Sequence, residues 1–143
     1  MKRSVTVGKL MSALAKSQAS FPKFVKDKAA YNYNYLTLDR ITEAVLPILG
    51  NNNIAVTQEH RVTVIDEAPF VVVNSYLFCE DEWIENTLMF PLGEPNKGMS
   101  EIMQCGAQAS YLRRFALLAM LGIAGGDKDI EIINDEEIYT KLK

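Results

Sequence analysis

Adjacent arginines, Arg113 and Arg114, put two permanent cations into an otherwise apolar stretch. Guanidinium forks match phosphate oxygens. A second group of cations lies far upstream, next to aromatic rings whose faces could stack on bases. Lys16, Lys23, Lys26 and Lys28, with Asp27 as the one opposing charge, lead into the alternating run Tyr31-Asn32-Tyr33-Asn34-Tyr35. In an extended segment Tyr31, Tyr33 and Tyr35 share one side, because side chains alternate with period two. Such a row is either a stacking surface or a half-buried sheet edge, and Tyr35 is the one best suited to a core. Arg61, in or just after a β-branched run, is a further cation. The residues expected to contact a nucleic-acid strand are therefore Arg113, Arg114, Lys23, Lys26, Lys28, Tyr31, Tyr33 and Arg61. Neighbours on a helix point about 100° apart, so Arg113 and Arg114 cannot share one direction, and at least one must leave apolar surroundings. The competing role for an arginine here is an ion pair with an acidic group such as Asp39 or Glu43. For the lysines it is an ordinary solvated surface.

Catalytic groupings are absent from the sequence. No glycine-rich loop ends in Lys-Ser/Thr, so ATP binding of the P-loop kind is not expected, and no cofactor is. His60 is the single histidine and has no thiol or carboxylate at a meaningful spacing, which makes it a satisfied surface or core side chain. Cys79 and Cys105 are isolated from each other and from His60, so two buried, reduced thiols are expected rather than a zinc site or a disulfide framework. Asp127, Asp129 and Glu131 alternate in an acidic segment rather than lining a cleft. A non-enzymatic protein follows.

The elements that must position these residues follow from periodicity. Val7, Leu10, Met11 and Leu14 recur at helical spacing after Ser4, which can serve as N-cap, and predict a helix over residues 5–18. Residues 21–34 have no helical period and read as extended or irregular. Ile41, Val45, Ile48 and Leu49 share a face of a second helix over residues 39–50, with Pro47 kinking its last turn and Gly50-Asn51-Asn52-Asn53 stopping it. The period then changes. Residues 54–57 with 61–65, then 70–78, then 83–90 are β-branched and aromatic, separated by turns at 66–69 and 80–82, and predict an antiparallel meander. A long helix over residues 100–121 follows, ended by Gly122. Ile102, Cys105, Ala109, Leu112, Ala116 and Ala119 form one stripe on it; Tyr111, Phe115 and Leu118, with Gln104 and Gln108, form another. A short chain has little else to cover the second stripe, so self-association is expected. The fold class is α+β: a three-stranded antiparallel meander followed by a long helix (β-β-β-α), flanked by two N-terminal helices.

At 143 residues and 48% apolar content the chain suits one globular domain, divided here as a core over 1–126 and an acidic tail over 127–143. The apolar stretch 117–124 is far below the roughly 18 residues of a membrane span, so a cytoplasmic protein with no membrane partner is expected. The net charge of −3 is unevenly spread: residues 1–61 hold nine Lys and Arg against four Asp and Glu, residues 62–143 six against fourteen. A basic patch on an acidic protein still attracts phosphate, since salt screens repulsion beyond about 10 Å.

Two separated segments resemble the Erf family of phage single-strand annealing proteins. One is Tyr31-Asn32-Tyr33-Asn34-Tyr35-Leu36-Thr37-Leu38-Asp39-Arg40-Ile41 with Val45-Leu46-Pro47-Ile48-Leu49 and Asn53-Ile54-Ala55-Val56-Thr57-Gln58. The other, more specific, is Gln104-Cys105-Gly106-Ala107-Gln108-Ala109-Ser110-Tyr111-Leu112-Arg113-Arg114-Phe115-Ala116-Leu117, continuing to Gly125-Gly126-Asp127. Phe115 stands where Tyr is usual, Cys105-Gly106 replaces a small-residue pair, and the basic C-terminal extension of some relatives is missing. Order and spacing agree over residues 9–129. The resemblance implies a β-β-β-α core, rings or filaments of many subunits, and annealing of single-stranded DNA without ATP. A phage exonuclease or single-strand-binding protein is a candidate partner. Two other readings share these residues: a factor that coats or loads single strands without annealing them, and a structural oligomer whose arginines are tied up in salt bridges.

Overall fold

The computed structural model describes residues 1–24, 28–30, 33–35 and 37–124, with segments 28–30 and 33–35 described by their backbone. The elements in chain order are β1 (Lys2–Arg3), α1 (Gly8–Ser20), β2 (Lys28–Ala30), β3 (Tyr33–Tyr35), α2 (Leu38–Asn51), β4 (Ala55–Ile65), β5 (Ala68–Cys79), β6 (Glu82–Pro91) and α3 (Glu101–Leu121). The α+β class and the meander followed by a long helix stand as expected. Strands β4, β5 and β6 pair antiparallel in sequence order, and β1 adds to the free edge of β6, giving the order β1-β6-β5-β4. A separate two-stranded sheet joins β2 to β3, with Lys28 opposite Tyr35 and Ala30 opposite Tyr33.

Turn chemistry sets the meander's register. Asp66 and Glu67 both take positive φ, 49° and 67°, so the expected four-residue turn tightens to two residues, the geometry that matches strand twist. The two runs expected at 54–57 and 61–65 are one continuous strand, paired with β5 from Ala55 opposite Phe78 to Ile65 opposite Ala68. At the other end Glu80 has φ 54°, and Glu82 is the first residue of β6 rather than part of the turn.

Helix α1 starts later than its periodicity suggests. Ser4 does not cap it: the Ser4 N–H donates to the Trp83 carbonyl at 2.9 Å, and the Trp83 N–H donates to Ser4 Oγ at 2.9 Å, so Ser4 extends the β1–β6 pairing. Val7 stands at the N-cap with no side-chain bond. The cap comes from the sheet instead. The Glu82 carboxylate accepts from Leu10 N at 2.8 Å and from Thr6 Oγ1 at 2.9 Å, and these bonds, the Leu10 N–H foremost, hold its carboxyl below the usual range although burial opposes them. Helix α2 begins at Thr37, whose hydroxyl accepts from Arg40 N at 3.2 Å, and runs through Pro47 to a left-handed Asn53 with Ile54 N returning to Leu49 O at 2.9 Å. Helix α3 is capped by Ser100 and ends at Gly122, φ 71°, with Ile123 N on Leu118 O at 2.9 Å.

The three helices gather on the face of the sheet that carries Val71, Val73, Leu77 and Cys79. Leu10, Leu14, Ile41, Val45, Leu49, Leu77, Leu117 and Leu121 make the larger core; Val71, Val73, Ala109, Leu112 and Ala116 make a second under the first half of α3. Ala109, Leu112 and Ala116 are thus on the inner stripe as expected, but Ile102 and Ala119 are exposed, and Leu118 of the other stripe is buried. The stripe fails at its ends because α3 overhangs the sheet near Ile102, and because α1 and α2 bring a second layer onto Leu117, Leu118 and Leu121. Cys79 is buried and Cys105 half-buried, both free, and burial pushes the Cys79 thiol up.

Candidate nucleic-acid interface

Parity along β4 decides which side chains meet α3. Gln58 faces the helix, so Val56, His60, Val62 and Val64 share that side, while Thr57, Glu59 and Arg61 lie on the other. Helix α3 lies over β5 and β6. It leaves the outer half of β4 uncovered, with His60 exposed and Val62 and Val64 47% and 68% exposed.

Arg113 stands at the border between the helix-covered core and this open strand surface. It is half-buried; its Nε donates to Gln58 Oε1 at 3.4 Å, and its own backbone carbonyl accepts from Gln58 Nε2 at 3.0 Å. Gln58 Nε2 also donates to Ser75 Oγ at 2.8 Å. Among the described residues Arg113 makes no ion pair. Arg114 points elsewhere, as a helical step of about 100° requires. Its guanidinium carbon is 4.4 Å from the centre of the Tyr111 ring and 5.2 Å from that of Phe115, and the two rings lie 5.3 Å apart. The spacings of three and four residues bring these groups onto one helix face. Tyr111 and Phe115 are 46% and 48% exposed and Arg114 is half-buried over them, so two open rings with stacking faces lie beside a cation.

The remaining expected contacts do not all join this surface. Arg61 is exposed on the opposite face of the sheet, near Tyr76, whose hydroxyl donates to Glu59 at 3.4 Å; burial first, then the Glu59 and Glu85 carboxylates, push that phenol up. Two carboxylates beside it make that face a poor phosphate site. Lys23 is exposed just after α1. Lys28 and Tyr33 belong to the β2–β3 ladder, and Lys26 and Tyr31 lie outside the described residues, as does the acidic segment 127–143. Lys9 and Lys16 border a hollow of about 420 Å³ with Asn51, Asn52 and Glu80, but Lys9 is engaged by Glu80 at 3.3 Å and Asp81 at 3.8 Å. Gln58 carried no expectation of its own; its signal was a polar residue at the core-facing parity of Val56 and Val62.

Among the described residues no cluster of three or more His, Cys, Asp or Glu could hold a metal ion, and no helix is long and apolar enough to cross a membrane. No curated protein and no solved structure matches the chain. A family model, that of the ERF superfamily, matches residues 10–141, which takes in most of α1, the meander, the arginine helix and most of the acidic segment. With the arginine pair and the β-β-β-α order both inside that span, the chain belongs to the ERF superfamily, a family of phage recombination and annealing proteins.

Proposed function

We propose that the protein binds single-stranded DNA and anneals complementary strands without nucleotide, working as a homo-oligomer. The observation that carries this reading is the middle of α3. Arg113 and Arg114 sit there on two adjoining faces, one fixed against β4 and the other over the exposed rings of Tyr111 and Phe115. Annealing needs a surface that grips phosphates and leaves base edges free, because a protein covering those edges would block pairing. Arginine forks supply the grip, and ring stacking holds bases without reading them. No covalent step is required, so the protein contributes positioning and charge.

Self-association rests on the apolar side chains that the same helix leaves open: Ile102 and Met103, apart from the two rings, and the rings' own edges beside them. A gel shift with a single-stranded oligonucleotide at low and high salt tests the DNA reading against a purely structural oligomer. Binding at low salt that weakens steeply with added salt is expected; no binding at low salt overturns the proposal.

A further inference from the structure

Gln58 is a polar side chain at a position whose parity neighbour Val56 packs on the core, and its amide is engaged on both sides. The nitrogen donates to Ser75 Oγ at 2.8 Å and to the Arg113 carbonyl at 3.0 Å, and the oxygen accepts from Arg113 Nε at 3.4 Å. Turning the amide over would set NH₂ against the Arg113 N–H and carbonyl against carbonyl, so the neighbours dictate its orientation. Ser75, fully buried, anchors it from below. From this geometry we propose that Gln58 is the positioning residue for Arg113: it holds the guanidinium by Nε and so presents the two terminal amino groups to a DNA phosphate. The proposal rests on the reading of Arg113 as a phosphate ligand.

The physical gain is preorganisation. A free arginine side chain samples many rotamers, and phosphate binding must remove that freedom. With Nε held, the plane of the guanidinium is set before DNA arrives, and the terminal fork remains for a bidentate contact. The terminal nitrogens of Arg113 make no hydrogen bond with any described residue. The same bond pair ties α3 to β4 across β5, so the arginine's position is referred to the rigid sheet rather than to the helix alone.

Fluorescence titration of a dT oligonucleotide into the full chain across a salt series tests this, with Gln58→Leu, Arg113→Ala and the double variant, each melted in parallel. One lost phosphate contact changes the slope of log affinity against log salt by roughly 0.7, which is about fivefold in affinity at 0.1 M salt. Each single variant is expected to show that loss, and the double variant to bind as Arg113→Ala does, because a positioning effect vanishes once its target is gone. If Gln58→Leu does not fold, the same cycle is read with Gln58→Met, which keeps the length of the side chain and lacks the acceptor for Arg113 Nε. If Arg113→Ala binds with unchanged slope, the phosphate reading of Arg113 fails. If Arg113→Ala weakens binding but the Gln58 variant does not, or if the two losses multiply in the double variant, the positioning role is overturned.

Discussion

Arg113 and Arg114 look equivalent as letters, yet they are held by different means. Arg113 is fixed by a neutral amide, which leaves its charge for a phosphate, and Arg114 lies over aromatic rings. Replacing both by Ala is expected to flatten the salt dependence of single-strand binding by roughly 1.4, two contacts at about 0.7 each, and to do so equally for every oligonucleotide sequence, since phosphates carry no base identity. Earlier melting with an unchanged slope would assign both to structure. The arginine pair was legible because adjacent cations in an apolar helix must emerge somewhere. Gln58 was not, because its importance comes from pairing with a residue 55 positions away. The charge of Arg61 is equally plain in sequence, but the sheet face it occupies depends on β4 being one unbroken strand.

The helices show the same division between local and distant causes. Repeats at three and four residues made α1, α2 and α3 legible, and the Ser100 and Gly122 ends of α3 stand where local capping rules put them. The start of α1 was misread because its capping group, Glu82, arrives from β6. The two-residue β1 and three-residue β2 and β3 are too short to show any period. Glu82 gives a test at this scale. Its carboxyl is lowered in the folded state from an ordinary 4.5, so its contribution is complete above that value and is lost as pH falls through the lower folded value. Melting temperature should therefore drop with acid below about pH 4.5, and Glu82→Gln should be less stable at neutral pH and show a shallower acid decline. An equally steep decline in Glu82→Gln would show that other carboxylates govern it. Leu121, fully buried where α3 joins the core under α1 and α2, is expected to cost about 2–5 kcal/mol when cut to Ala, measured by denaturant unfolding. Tyr111→Ala on the exposed face should leave stability nearly unchanged while weakening DNA binding by about 1–3 kcal/mol for one lost stacked base.

For the molecule as a whole, composition and periodicity made the α+β class and the order of the meander and long helix readable, while the single-faced packing of three helices on the sheet is set by contacts between residues far apart in the chain. The uncovered half of β4 and the open strip of α3 lie on the same side of the sheet as the arginines. A self-associated form is the expected state, and light scattering at micromolar concentration should return a mass several times the 16.0 kDa of one chain. A strictly monomeric mass with and without DNA would remove the packing argument. Annealing is measured by mixing complementary oligonucleotides with the purified protein, without nucleotide and with a chelator present, and following duplex formation in time. The native protein should speed pairing well above the spontaneous rate, and the double arginine variant should approach that rate. Tight binding of either strand with no acceleration would leave a coating protein, and a strict requirement for ATP would rule out annealing by charge and positioning alone.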